Sequence, residues 1–500
     1  MQLLADTLAT PSGATWFFLI LALGLALAFE FVNGFHDTAN AVATVIYTNT
    51  LKPNTAVVWS GIWNLIGVLT SSGAVAYGIV SLLPVELVLN VGSGSGFAMV
   101  FALLLSAILW NLGTWYLGLP ASSSHTLIGS IMGVGLGNAM LNGQAFGEGV
   151  NWAKAQEVGL SLLISPIFGF FWAGVLLLLL KAFVRNPALF QEPPKDQPPP
   201  LGVRAILMLT CTGVSFAHGS NDGQKGMGLM VLILVGILPA TYALKMDETP
   251  ERVQAIVMHA QASQKTFTTL AGANATVMGQ KDAEAELGAY LKPTGKASEK
   301  TFAALATGSE VIGTTLGRIK TFNDLTPDER RAVRTDIYLV ATAIGKITKG
   351  TLVANAEDKK AVSTFKGELD HVTKYIPTWV KIAVALALGL GTMIGWKRIV
   401  VTVGEKIGKS HLTYGQGASA ELVAMGTILA ADQLGLPVST THVLSSGIAG
   451  TMAANRSGLQ AQTLRNILLA WVLTLPASVF LGSLLFAFGN YIVLHVFGAR

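Results

Sequence analysis

Gly118-Leu-Pro-Ala-Ser-Ser-Ser-His125 recurs 317 residues later as Gly435-Leu-Pro-Val-Ser-Thr-Thr-His442, and each copy lies between apolar runs. A second pair, Asn33-Gly-Phe-His-Asp37-Thr-Ala-Asn40 and His218-Gly-Ser-Asn-Asp222-Gly-Gln-Lys225, is offset by 185. The offsets differ by 132, about the length of a polar region between Met246 and Thr378 that holds about half of the charged residues. The chain therefore reads as two related halves, the second carrying an insertion after its Asp signature.

The composition says what surrounds these motifs. Hydrophobic residues make up 51% and charged residues 12% of the 500, against roughly 25% charged in soluble domains. Apolar segments near 15–47, 56–82, 97–118, 121–141, 158–181, 203–244, 378–396, 417–434, 437–454 and 464–495 approach the ~20 residues that a helix needs to cross ~30 Å of hydrocarbon. Continuous apolar runs of that length mean helices, because an open sheet leaves its edges unsatisfied in lipid. The fold class expected is an all-α polytopic membrane protein of two inverted repeats, each of about five segments, with broken or re-entrant helices and a soluble helical insertion. The boundaries read as 15–185 for the first repeat and 186–202 for a proline-rich linker. The second repeat takes 203–245 and 377–495, and the insertion 246–376.

Orientation follows from basic residues in short loops. Lys181, Arg185, Lys195 and Arg204 mark the linker as cytoplasmic, as do Lys397, Arg398, Lys406 and Lys409 for a later loop. No Lys or Arg precedes Trp16, so the N-terminus is expected outside, with residues 15–32 a retained helix. Five crossings then separate an outside start from an inside linker, and an odd count turns the second half over, as in many secondary transporters. The same count puts the insertion on the periplasmic side. Its Thr326-Pro-Asp-Glu-Arg330 is a helix start, Thr326 capping and Pro327 in the first turn. The net charge of +5 suits positive-inside loops rather than nucleic-acid binding, and the lone Cys211 excludes an intrachain disulfide.

A carboxylate at membrane depth costs at least ~2.5 kcal/mol unless it faces a cavity or a partner, so Asp37 and Asp222 at matching positions point to a site. The glycines and amides around both suggest interrupted helices. The Gly-Leu-Pro repeats read as helices that begin inside the bilayer, where free N–H groups and the positive dipole end bind tetrahedral anions. Ser122, Ser123, Ser124, Ser439, Thr440 and Thr441 add hydroxyls as caps and donors. Asn221, His125 and His442 are further candidate anion contacts. Asp37, Asp222, Lys225, Glu30 and Glu421 are candidates for cation or proton coupling, and the two Asp also for holding a metal. Two carboxylates near an anion repel it strongly in low dielectric, so protons or metal cations should travel with it. Gly129 and Gly133 read as close helix packing.

At these motifs the sequence resembles the PiT family of inorganic phosphate transporters, most of all its bacterial low-affinity members. The likeness covers both halves through NGFHDTANAVATVIYT, WNLGTWYLGLPASSSHTLIG, FAHGSNDGQKGMGL and LGLPVSTTHVLSSGIAGTM. It implies a multi-pass protein of the bacterial inner (plasma) membrane that imports inorganic phosphate by proton symport, as a neutral complex with Mg, Ca or Zn, and accepts arsenate. It implies that Asn40 and Thr126 also contact the anion, and it implies no enzymatic activity and no cofactor beyond the co-transported ions. The partners expected are phosphate and the lipid bilayer, with a homodimer as one option. Sodium-coupled relatives carry Asn where this chain has Lys225, whose ammonium can stand in for a bound cation and favours protons. Eukaryotic relatives place their large loop between the halves, so no loop function carries over. Two alternatives stay open: a proton-coupled sulfate permease of the same fold, and an intramembrane hydrolase, against which the lack of a Gly-x-Ser-x-Gly elbow argues.

Overall fold

A computed structural model describes residues 13–495 apart from 38, 84–87, 89, 90, 146, 147, 195, 196, 273–277, 293, 351 and 354, and leaves the side chains of Ala39 and Asn40 undescribed. Among the described residues the regular structure is helical, with one isolated bridge between Gly408 and Leu459. In the first half α1 (Gly13–Asp37) and α2 (Ala39–Tyr47) lead to α3 (Pro53–Thr70), α4 (Ala74–Val80), α5 (Gly94–Tyr116), α6 (Ser123–Leu141) and α7 (Trp152–Phe183). The second half opens with α8 (Leu201–Ile237), and the insertion follows as α9 (Pro250–Ala271), α10 (Gln280–Leu291), α11 (Glu299–Leu316), α12 (Pro327–Thr348) and α13 (Ala356–Thr373). It resumes with α14 (Thr378–Met393), α15 (Lys397–Glu405), α16 (Tyr414–Gln433), α17 (Thr440–Ala454) and α18 (Ala461–His495).

Five of these stretches are long and apolar enough to cross a membrane, the α1–α2 stretch counting as one, and up to seven if each sharply bent pair is one span. The bends are 78° between α3 and α4 and 69° between α13 and α14. The shorter α6 and α17 are buried along almost their whole length. At 1.5 Å per residue, α17 is about 22 Å long, too short to cross ~30 Å of hydrocarbon.

The halves are interlocked. Helix α6 packs on α18 of the other half and α17 packs on α7; α1 packs on α14 and α8 on α3. Matching glycines set these approaches. A Cβ on Gly133 would lie 2.1 Å from the Val479 carbonyl oxygen, and one on Gly450, its repeat equivalent, 2.0 Å from that of Phe170. Such contact between backbones is how small residues bring helices together where lipid supplies no hydrophobic drive. Neither half buries its own polar interior; each closes the other.

One local expectation fails. The helix carrying Asp222 is not interrupted there: α8 runs unbroken for 37 residues and ends at Ile237. Its glycines serve close packing instead, since a Cβ on Gly219 would meet the Asn64 carbonyl oxygen at 2.1 Å and one on Gly226 the Glu30 side chain at 2.2 Å. At the first signature the stretches Gly13–Asp37 and Ala39–Tyr47 flank residue 38, which lies outside the described residues.

The insertion builds its own core from Val253, Ile256, Phe267, Leu305, Ile337, Phe365 and their neighbours. Thr326 caps α12 by accepting from the Glu329 N–H at 3.3 Å, and the Glu329 carboxylate accepts from the Thr326 N–H at 2.8 Å, a reciprocal cap. Tyr77 Oη donates to the Tyr375 carbonyl at 2.7 Å and Arg330 to that of Ala240 at 3.1 Å, tying the insertion to α4 and to the short turn Pro239–Tyr242 that follows α8.

Candidate functional site

The chain enters α6 and α17 the same way. Pro120 and Pro437 lie before the caps rather than in the first helical turn, because Ser122 and Ser439 themselves take the capping position. The Ser122 hydroxyl accepts from the His125 N–H at 3.2 Å and the Ser439 hydroxyl from the His442 N–H at 3.1 Å. The His125 and His442 rings meet at 4.7 Å, so the two helix starts adjoin, and His442 stacks on Trp471 at 3.9 Å. Trp471 in turn donates to the Pro120 carbonyl at 2.9 Å. The histidines thus join the two starts to each other, and among the described residues their rings make no hydrogen bond to either Asp.

Asp37 reaches both helix starts. Its Oδ2 accepts from Ser123 Oγ at 2.9 Å and its Oδ1 from Thr441 Oγ1 in a short hydrogen bond. His36 Nδ1 lies 3.3 Å from the same Oδ1, and its Nε2 3.1 Å from Thr114 Oγ1. Asp222 comes from α8: its Oδ2 is 2.6 Å from Lys225 Nζ and 3.4 Å from Ser123 Oγ. Lys225 Nζ also donates to Ser123 Oγ at 3.4 Å. One hydroxyl therefore bridges both carboxylates and the ammonium.

His218 sits between the carboxylates, its Nε2 3.8 Å from Asp37 Oδ2 and 3.5 Å from Asp222 Oδ2. Its other ring nitrogen is fixed from α3. Thr392 Oγ1 donates to the Leu388 carbonyl, so it accepts from Asn64 Nδ2 at 3.0 Å, which turns Asn64 Oδ1 toward His218 Nδ1 at 2.9 Å. That network assigns the Nδ1 hydrogen, and an N–H on Nε2 is what would make its approach to two carboxylates favourable. Asp37, His218 and Asp222 also offer ligand atoms within 4.8 Å of one another. The Lys225 ammonium already stands at Asp222, so a resident divalent metal does not fit this arrangement while that lysine is charged.

The remaining candidates divide. Ser124 is turned away, donating to the Val438 carbonyl at 2.7 Å, and Thr126 donates back to the Ser122 carbonyl at 2.9 Å. Thr440 is buried with no hydroxyl partner among the described residues. Asn221 donates to the Leu436 carbonyl at 3.2 Å, in the turn before α17. Glu30 lies against Gly226, next in sequence to Lys225, and accepts from Asn33 Nδ2 at 3.4 Å. Glu421 is held by Thr210 through a short hydrogen bond and has no hydrogen bond to the Asp pair. The Asn40 side chain lies outside the described residues. Asp432 accepts from Ser220 at 2.7 Å and Gln224 at 2.5 Å, bracing α8 against α16.

Taken singly in the sequence, His218 and His36 could titrate or donate to an anion but read more readily as hydrogen-bonded structural groups, and Asn64 does not stand out. The signal for His218 was its spacing of four from Asp222, one turn on a helix face; for Asn64 it was an amide within an apolar run. Every group at the centre is buried: Asp37, Asp222, Lys225, His218, Ser123 and Thr441 are each at most 2% exposed. The site is closed to solvent on both sides in this conformation.

The family model described as the phosphate transporter family matches residues 33–482. The low-affinity inorganic phosphate transporter PitA of Escherichia coli K12 is 42% identical over 488 residues, covering 94% of this chain and 96% of that protein. The low-affinity inorganic phosphate transporter of Buchnera aphidicola from Acyrthosiphon pisum is 40% identical over 95% of the chain. Among solved structures, the sodium-dependent phosphate transporter shares the fold at a TM-score of 0.51 and 19% identity, covering 94% of this chain and 98% of that one. With its signature glycines, paired Asp residues and capped helix starts all inside the matched region, the chain belongs to the phosphate transporter family.

Proposed function

We propose that this protein carries inorganic phosphate across the membrane as a proton symporter, with the anion bound between the starts of α6 and α17 and opposite Asp37 and Asp222. Phosphate transport itself is what the names of its relatives state, and the proton-coupled mechanism is our reading of the geometry. The observation that carries it is the convergence of two capped helix starts on a pair of buried carboxylates bridged by Ser123. Ser123 and Thr441 now donate to Asp37, and the same hydroxyls can turn to an anion when Asp37 takes a proton. Protonation removes one negative charge and frees two donors in a single event, which is the coupling. A divalent cation travelling with phosphate as cargo would act likewise, with Asp37 facing it and His218 joining only without a hydrogen on Nε2.

The carboxylates also favour phosphate over sulfate. A partly protonated phosphate has an O–H that an Asp can accept, whereas sulfate at neutral pH has none and meets only repulsion. Because the centre is buried, transport requires the halves to move so that one side opens at a time. Phosphate uptake by proteoliposomes under an imposed pH gradient, with and without Mg and Na, tests the reading on wild type and Asp37→Asn. Wild type is expected to respond to the gradient and the variant to lose that response. Uptake indifferent to the gradient in wild type overturns the proton coupling, and competition by excess sulfate would revive the permease alternative.

A further inference from the structure

The turn between α5 and α6 and the start of α15 enclose a groove of about 630 Å³, lined among others by Trp115, Tyr116, Trp396, Lys397, Arg398 and Lys406. We propose that this groove binds the headgroup of an anionic phospholipid of the phosphatidylglycerol class, drawn from the leaflet around it. The inference does not depend on which ion drives transport.

Charge is the first argument. Lys397, Arg398 and Lys406 have no carboxylate within ion-pair distance among the described residues. Glu405, the acidic residue nearest in sequence, accepts from Tyr47 at 2.8 Å. The Arg398 guanidinium is fixed over the Trp115 and Tyr116 rings at 5.3 and 4.9 Å and donates to the Tyr116 carbonyl at 2.9 Å, leaving further N–H groups for an anion. Helix α15 begins beside the groove with no side-chain hydrogen bond at its cap, so its first N–H groups have no capping acceptor.

Position is the second. Leu105, Leu109, Leu112 and Tyr116 form an exposed stripe at helical spacing on α5 that runs into the groove, and Leu117 and Ile394 are 69% and 55% exposed beside it. A lipid has its charged head and apolar tail arranged in this order, and basic pockets with aromatic rims at a cytoplasmic interface suit such headgroups. The matching turn of the second repeat is covered by protein: a Cβ on Gly78 of α4 would lie 3.1 Å from the Gly435 carbonyl oxygen. At the first-repeat turn α15 instead holds Gly118 through one hydroxyl, Thr402 Oγ1 to its carbonyl at 2.8 Å. The floor of the groove is thus the turn that delivers Ser122 and Ser123 to the central site.

A free phosphate ion shares the headgroup's chemistry, so the experiment separates the two. The full chain is reconstituted in phosphatidylcholine vesicles containing increasing dibrominated phosphatidylglycerol or, in parallel, dibrominated phosphatidylcholine. The fluorescence quenched at Trp396 is obtained by difference from Trp396→Phe. Brominated phosphatidylglycerol should quench at a much lower mole fraction than the choline lipid. Lys397→Gln combined with Lys406→Gln should shift that preference by about 25-fold, about fivefold per lysine. Equal quenching by the two lipids, or an unchanged preference in the double variant, overturns the proposal. Loss of the preference on adding millimolar inorganic phosphate also overturns it and assigns the groove to the free ion.

Discussion

Replacing Lys225 by Asn probes the charge balance of the central site most directly. Its Nζ lies 2.6 Å from Asp222 Oδ2, and both side chains are fully buried. At an effective dielectric of about 20, that separation corresponds to about 6 kcal/mol of attraction before desolvation is counted. Removing one partner of a buried pair costs about 3–5 kcal/mol net, because the other charge stays behind without water. His218 Nε2 at 3.5 Å and Ser123 at 3.4 Å compensate only partly, so about 3 kcal/mol is the expected loss. The lone carboxylate must then take a proton or a cation of similar size, and the Asn carbonyl supplies a second oxygen ligand. Uptake by Lys225→Asn in sodium-free medium should fall by about 100-fold, the factor that 3 kcal/mol represents. Sodium at 100 mM should restore a large part of it, and choline none. The Asp222→Asn, Lys225→Asn double variant should recover the folding stability that the single variant loses, measured by denaturation in detergent. A Lys225→Asn protein as stable as wild type, with uptake still indifferent to sodium, refutes the reasoning: the ammonium would then be a bystander.

Two further outcomes follow from packing and burial. Gly133→Ala puts a Cβ 2.1 Å from the Val479 carbonyl oxygen and should cost about 1–3 kcal/mol by overpacking, whereas Gly113→Ala on α5 meets nothing within 4 Å and should be neutral or gain up to about 1 kcal/mol; equal unfolding temperatures for the two variants would count against the interlocked helix contact. In the insertion, burial and the neighbouring Glu284 push the Asp336 carboxyl up to about 7, with Gln280 donating to it at 3.1 Å. The fold therefore prefers the neutral acid, a contribution fully present below pH 4 and lost as pH rises through 7, so Asp336→Asn should gain at most about 4 kcal/mol at pH 8 and nothing at pH 4. Hydrogen exchange of α10 and α12 amides in the intact protein, corrected for intrinsic rates, checks this; the same pH dependence in wild type and variant would show that Asp336 is not the group responsible.

Much of the architecture was legible because it is local or repeated. Apolar runs long enough to span lipid, the matching Gly-Leu-Pro and Asp motifs, and the Ser122 and Ser439 caps are properties of short segments, and hydrogen bonds between neighbours fix them. The Asp222 helix was misjudged for an instructive reason. Gly219, Gly223 and Gly226 look like a break when read along the chain, but they are clearance for Asn64, Val68 and Glu30 on other helices. A glycine that ends a helix and one that lets another helix approach have the same letter.

The sequence by itself determined that this is a duplicated helical membrane protein with two buried carboxylates and two helix starts suited to a tetrahedral anion. Hydropathy, capping and the cost of a charge in lipid are short-range rules, and they act on the chain wherever it lies. Only the tertiary structure decided that Ser123 of one repeat and Thr441 of the other both donate to Asp37, and that His218, oriented by Asn64 and Thr392, stands between the carboxylates. It also decided that Ser124, Thr126 and Glu421 are bonded elsewhere. Those pairings join residues up to 404 positions apart, and they exist because each half closes over the other, an arrangement that no spacing within one segment can encode.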